Sequence, residues 1–315
     1  MAVSKTDAVW LMVAVAAVST SAPLIREAAA PALAVAFWRN SLAAAALVPI
    51  AAGGRARGAS AGRAGGRSGR DAMVGLSATQ RRPWWLAVGA GVLLAAHFAA
   101  WIPSLSLTTV SASVALVTTQ PVWTALLAGA TGAPVGRKGW LGIGLALGGV
   151  VLVTGVDVGS SGRAAVGDLL ALAGGVLAAA YISVGAAARR HLSTTDYTAC
   201  CYSVAAVVLL GACLVGREPI FGFGLRTWLC LIAITVGPQL LGHSVFSRVV
   251  PAVGPTVVSM AIVAELVGAA LLALWWFGES PSPAIVPAAM CIVAGVVLVV
   301  RSVASAGPAP EAPTL

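Results

Sequence analysis

Gly149-Val150-Val151-Leu152-Val153 recurs as Gly295-Val296-Val297-Leu298-Val299, and each copy closes a long apolar stretch. The copies lie 146 residues apart, close to half of the 315-residue chain. Upstream, residues 111–130 align with residues 256–275 at an offset of 145. Within that match Val122-x-x-Ala125-Leu126-Leu127-Ala128 parallels Val267-x-x-Ala270-Leu271-Leu272-Ala273. A chain built twice from one apolar unit is a pattern of membrane transporters.

Composition sets the solvent. Apolar residues make up 59% of the chain and charged residues 9%, against roughly 45–50% and 25% in soluble domains. A soluble fold could not hide so much apolar surface, so lipid is the expected solvent. The five cysteines (Cys200, Cys201, Cys213, Cys230, Cys291) all fall in apolar runs without metal-ligand spacing, which reads as small hydrophobes, with no metal site and no disulfide framework. The net charge of +9 would suggest nucleic acid only on a folded basic face. Here seven arginines crowd one Gly/Ala/Ser-rich linker between Arg55 and Arg82, so they read as a topology signal and no nucleic-acid partner is expected. The Lys5-led apolar start resembles a signal peptide, but without a cleavage context it is expected to be an uncleaved first helix.

A spanning helix needs about 20 mainly apolar residues. Ten segments approach that length: 8–25, 33–51, 84–105, 110–130, 140–158, 165–187, 197–215, 227–249, 255–277 and 283–301. With the N-terminus in the cytoplasm, 14 of the 19 Lys and Arg residues fall in or beside inside loops, as the positive-inside rule requires. The expectation is an all-α integral protein of the cell membrane, with both termini cytoplasmic. Its first repeat is 8–158, interrupted by a disordered cytoplasmic linker at 52–83. The second repeat is 165–301, followed by a disordered tail at 302–315. Five spans per repeat is an odd number, so the copies enter the bilayer with inverted topology, and a site is expected between them near the midplane. Seven tryptophans (Trp10, Trp84, Trp85, Trp140, Trp228, Trp275, Trp276) sit at expected span ends, where the headgroup layer suits the indole ring. Gly144 and Gly148 are expected to form a small-residue packing face.

One family resemblance is visible in the residues themselves. His97-Phe98-Ala99-Ala100-Trp101-Ile102-Pro103-Ser104-Leu105, with Thr118-Thr119-Gln120-Pro121 after it, resembles the third and fourth spans of EamA-type permeases of the drug/metabolite transporter superfamily. Ser21-Ala22-Pro23-Leu24-Ile25-Arg26 and Ala36-Phe37-Trp38-Arg39 fit the first-half opening. In the second half Leu241-Gly242-His243-Ser244, Pro255-Thr256-Val257-Val258-Ser259, Ala264-Glu265 and Gly278-Glu279 agree. The resemblance implies ten helices in two inverted five-helix repeats that move small organic solutes, often outward. Two positions depart from the pattern. Leu266 stands where a proline usually follows the glutamate, and Ala133-Pro134 lies where the first repeat would carry Gly-Glu. The first departure predicts that the two halves kink differently.

Ionisable groups inside spans mark candidate sites, because a mid-helix charge costs roughly 2.5–3.5 kcal/mol on insertion scales. Glu265 is deep in the ninth span, flanked by Ala and Val, and Gln120 holds the equivalent place in the fourth. Glu265 reads as a cavity carboxylate for a substrate amine or a proton, or else as a structural partner of Arg39. Arg39 reads as a cavity cation or a fixed salt bridge. Adjacent Arg26 and Glu27 cannot face each other on a helix and need partners elsewhere. His97 and His243 occupy corresponding parts of the two halves, and either relay protons or bridge helices. Trp38, Trp101 and Trp123 lie deeper than the other tryptophans and either line the cavity or pack. Pro121 and Gly237-Pro238 fall within spans as hinge candidates.

The function these features predict is secondary transport, most simply export, of a small metabolite such as an amino acid or drug-like compound by alternating access. Proton coupling through Glu265 is part of that expectation, and no cofactor is. No Gly-x-x-x-x-Gly-Lys-Ser/Thr loop occurs for an ATP-driven pump. The alternative, an integral membrane enzyme acting on a lipid or isoprenoid, would call for clustered carboxylates or metal ligands, whereas Asp157, Asp168 and Asp196 are isolated in the sequence.

Overall fold

In a bilayer no water is present to satisfy free N–H and C=O groups, so long apolar runs must pair their backbones internally. The chain obeys this. A computed structural model describes residues 4–64, 78–108, 110–154, 162–277 and 284–305, and among them there are helices and no strands. The first half runs through α1 (Lys5–Ser19), α2 (Ser21–Ala28), α3 (Ala32–Ala64), α4 (Ala78–Leu107), α5 (Val110–Val117), α6 (Gln120–Ala130) and α7 (Arg137–Thr154). The second half begins with α8 (Gly162–Arg189), α9 (Thr194–Gly216) and α10 (Leu225–Ile234). A π-helical segment (Thr235–His243) then leads to α11 (Ser244–Val253), α12 (Pro255–Val263), α13 (Glu265–Phe277) and α14 (Ile285–Ser305). Eight stretches among the described residues are long and apolar enough to cross a membrane, so the chain is a multi-pass membrane protein. Helices α7 and α14, the fifth and tenth expected spans, are not among those eight.

The arginine-rich stretch differs from its expectation. Helix α3 continues through Ala64 and α4 begins at Ala78, so residues 52–64 and 78–83 are helical. Alanine and arginine favour helix, and α4 runs through Pro83. Residues 65–77 lie outside the described residues, as do 155–158, Gly278-Glu279 and the tail beyond Ser305.

Four spans are interrupted, and the interruptions have local causes. Pro238 has no N–H for the carbonyl of Ile234, and the chain shifts to the wider π-helical turn from Thr235. Thr20 ends α1 with its hydroxyl donating to the Ala17 carbonyl at 2.7 Å. Thr118 and Thr119 separate α5 from α6, donating to the Ala115 and Leu116 carbonyls at 2.9 and 2.7 Å, while Pro121 withholds a donor from the turn before it. Ala264 separates α12 from α13. Positions 119 and 264 are 145 apart, the repeat offset, so both halves break at the same place. The expectation that the two halves kink differently is therefore corrected for the position of the break, which Leu266 shares with Pro121. Ser19 lies against this break: its Oγ, which donates to the Val15 carbonyl at 2.8 Å, is 3.4 Å from the Glu265 carbonyl and 2.2 Å from where a Cβ at Gly268 would sit.

The repeated pentapeptide marks a crossing. An added Cβ at Gly295 would meet the Gly142 carbonyl at 2.5 Å, one at Gly142 would meet the Gly295 carbonyl at 2.7 Å, and one at Gly149 would meet the Ala288 carbonyl at 2.7 Å. Helices α7 and α14 thus touch backbone to backbone, an approach that only glycine permits. Gly144 and Gly148 have nothing within 4 Å, so they correct the expected packing face: Gly142 and Gly149, seven residues apart, share the inward side. Trp85 and Trp275 face outward at 70% and 81% exposure, as interfacial rings should. Trp228 instead packs inside on Trp38, with ring centroids 4.8 Å apart.

Candidate functional site

The broken helices meet around one cavity. Its wall is formed by Val18 and Ser21 from the α1–α2 break, Val117 and Gln120 from the α5–α6 break, and Ile262 and Glu265 from the α12–α13 break. His97 and Trp101 of α4, Ala178, Tyr181 and Ile182 of α8, His243 of the π-helical segment and Phe246 of α11 complete the wall. Gln120 and Glu265 are each the first residue of their half-helix. A second space shares Tyr181, Ile182, His243, Phe246 and Ile262 and continues along Gly185, Tyr197, Ser247 and Val250. It leads toward the end of the bundle where α8 ends and α9 begins. There Arg189 donates from Nε to the Ser247 carbonyl at 2.8 Å, a carbonyl freed because Pro251 has no N–H to offer it.

Five of the seven residues singled out from the sequence therefore border one cavity: Glu265, Gln120, His97, Trp101 and His243. Glu265 is 8% exposed, and its carboxylate has no hydrogen bond or ion pair among the described residues. His97 Nδ1 lies 2.9 Å from the Gly174 carbonyl, bridging α4 to α8, and its ring stacks on Trp101 at 5.8 Å and 9°. Gly174 makes this possible by letting Trp101 approach its Cα side closely. Phe98 sets its ring edge-on to His243 at 5.6 Å.

Arg39 and Trp38 do not line this cavity. Arg39 is wholly buried behind Phe98, with its guanidinium 4.2 Å above that ring. Its Nε donates to Gln239 Oε1 at 2.8 Å, and Gln239 Nε2 donates to Asn40 Oδ1 at 3.1 Å. Glu265 is near enough to interact with Arg39 electrostatically but forms no ion pair with it. The alternative of a Glu265–Arg39 bridge is not realised; Arg39 instead has an amide at Nε and a cation–π contact, the latter worth about 2 kcal/mol where water is excluded. Gln239 and Asn40 escaped the sequence reading, although a glutamine beside Gly237-Pro238 in an apolar span was a usable signal. Tyr181 and Ser21 escaped as well, since neither carries a charge.

Trp38 belongs to a closure at the opposite end of the bundle. Its Nε1 donates to the Ile220 carbonyl at 2.7 Å, and Phe221 packs edge-on against it at 5.5 Å. Nearby, Arg226 pairs with Glu27, which gives Glu27 the partner its sequence position demanded. Thr227 Oγ1 donates to the Ala28 carbonyl at 2.8 Å. The α9–α10 loop is thereby strapped to the α2–α3 corner. With the native cysteines replaced and a single cysteine at Ser21, Trp38→Ala is expected to speed thiol labelling from this end roughly tenfold, as loss of a 1–2 kcal/mol contact allows. Unchanged labelling would mean that the strap does not close the path.

A family model described as the EamA-like transporter family matches residues 6–155 and again residues 165–301. A solved crystal structure of a protein 18% identical to this chain superposes with a TM-score of 0.72, covering 96% of this chain and 99% of its own length, a likeness of fold. No curated protein matches the sequence.

Proposed function

Because the chain belongs to the EamA-like transporter family, we propose that it is a secondary transporter in the cell membrane that exports a small organic metabolite by alternating access. The observation that carries this reading is the cavity where three helix breaks from both halves converge on an unpaired carboxylate, Glu265. Half-helix ends at mid-membrane are the usual setting of transporter sites, because broken helices expose backbone groups and helix ends to a solute. In this reading the chain forms ten spans in two inverted five-helix repeats with both termini cytoplasmic, α7 and α14 supplying the fifth and tenth. The loops with most Lys and Arg are then inside, and the strap at Trp38 closes the outer side while the second cavity leads inward. Glu265 exchanges a proton for the solute. Glu265 is the one acid in the cavity wall among the described residues, and no observation favours the lipid- or isoprenoid-modifying enzyme over transport.

The function is tested by comparing cells with and without the gene across a broad panel of metabolites and toxic organic cations. Gene-dependent export or resistance to at least one small solute is expected, and its absence across the panel would sink the reading. The topology has its own test. A single cysteine placed in the 65–77 stretch should label with an impermeant thiol reagent only after cells are permeabilised, and labelling of intact cells would reverse the orientation.

A further inference from the structure

Helix α3 is 33 residues long and α4 is 30. At 1.5 Å per residue they measure about 50 and 45 Å, against a hydrocarbon core of about 30 Å, so both run past the apolar layer. Arg55 and Trp84 mark the boundary at the end where α3 finishes and α4 begins. The Arg55 guanidinium lies 5.5 Å from the Trp84 ring centroid, and its Nε is 3.3 Å from Asp196 Oδ1. Those contacts tie α3, α4 and the start of α9 together at the level of the ring. Beside them, one face of α4 carries Arg81, Arg82, Trp85, Gly89 and Val92, at helical spacings of three and four residues. It is turned away from α9, which meets α4 at Gly91, where an added Cβ would lie 2.6 Å from the Cys201 carbonyl. Arg81, Arg82, Trp85 and Val92 are exposed, and a Cβ at Gly89 would meet nothing within 4 Å. Arg82 and Arg81 stand about 4–6 Å along the axis beyond Trp85, the depth of a headgroup layer.

We infer that this face of α4 is a docking surface for an anionic phospholipid, with the phosphate at Arg81 and Arg82, the glycerol region against Trp85, and an acyl chain along the notch at Gly89. A guanidinium fork fits phosphate oxygens bidentately, and an indole ring suits the layer just beneath them. Gly89 lets a chain approach the helix backbone below the ring. Charge decides the class of lipid. Asp196 answers Arg55 from within the protein, while Arg81 and Arg82 add two charges side by side at the phosphate level. A zwitterionic lipid would bring its own cation to that place, whereas an anionic one does not. A soluble phosphate would meet the arginines but leave the apolar stripe below them bare. The inference depends neither on what the cavity carries nor on which side of the membrane this end faces.

The test is competitive lipid retention, read by native mass spectrometry of the purified full-length protein. Dioleoyl phosphatidylglycerol and dioleoyl phosphatidylcholine share their acyl chains and differ in net charge. Offered together in equal amounts, the phosphatidylglycerol should be retained about 30-fold in preference, roughly fivefold for each of two arginines at a membrane surface. Arg82→Gln should lower that preference about fivefold. Arg57→Gln is the control, because Arg57 is exposed but lies two residues from Arg55, on the side of α3 away from Trp84; it should change the preference less than about twofold. Excess glycerol 3-phosphate should displace none of the bound lipid. Melting at the wild-type temperature establishes that a variant is folded; if one is not, the wild-type preference and the glycerol 3-phosphate arm decide. Equal retention of the two lipids overturns the inference. Equal losses in Arg57→Gln and Arg82→Gln overturn it in favour of diffuse surface charge, and displacement by glycerol 3-phosphate overturns it in favour of a soluble anion.

Discussion

Glu265→Gln should reduce solute flux through proteoliposomes by roughly 10- to 100-fold, the effect expected when a hydrogen bond to a charged group worth about 1.5–3 kcal/mol is lost. The substitution is nearly isosteric. Ser19 contacts the backbone carbonyl at 265 rather than the side chain, so that contact survives and the change isolates the charge. A pH dependence follows with a definite sign. An ammonium binds the ionised carboxylate and competes with a proton for it, so wild-type affinity should fall as pH is lowered through the carboxyl titration. In Glu265→Gln no proton is taken up, and affinity should be flat over the same range. Flux driven by an imposed pH gradient should vanish in the variant while solute counterflow, though weaker, becomes independent of pH. Gradient-driven flux that persists unchanged would remove Glu265 from coupling.

The second large effect concerns assembly. Gly295→Leu places a side chain where its first atom would lie 2.5 Å from the Gly142 carbonyl and 2.8 Å from the Ala146 Cβ. Both neighbours belong to a helix that cannot rotate away without losing its own contacts with α14. Close backbone approach is a main source of attraction between helices in lipid, where the hydrophobic effect does not distinguish helix from acyl chain. Forcing α7 and α14 apart should cost about 3 kcal/mol, the upper end of overpacking, and appear as loss of the monodisperse peak and a lower melting temperature in detergent. Gly144→Leu is the control, with nothing within 4 Å; it should change stability by no more than about 0.5 kcal/mol. Equal tolerance of the two would show that the crossing does not hold the repeats together.

Some of the site was legible beforehand, and the reason lies in the solvent. A polar side chain inside a 20-residue apolar run is conspicuous, because lipid makes it expensive; Glu265, Gln120, His97 and His243 were found that way and border one cavity. The same logic singled out Arg39 and Trp38 but could not place them. A buried arginine can meet an anion, an amide or an aromatic face, and this one meets Gln239 through Nε and Phe98 through its plane. A mid-span tryptophan can face a cavity or a loop, and Trp38 meets Ile220, 182 residues along the chain. Tyr181 and Ser21 left no trace in the charge pattern.

The sequence alone determined the membrane class, the helical architecture and the duplication, because each depends on local quantities: apolar run length, residue spacing and the offset between copies. The repeated Gly-Val-Val-Leu-Val is one of these, and its sequence shows the glycines but not the contact they serve. Only the tertiary structure decided that Gly149 and Gly295 lie at a single crossing, that Ser19 of α1 lies against the break in the ninth span, and that three breaks share one cavity. Each of those facts is a contact between residues far apart in sequence. Which of several chemically adequate partners a group meets is settled by how the helices pack, and helix packing is a property of the whole chain.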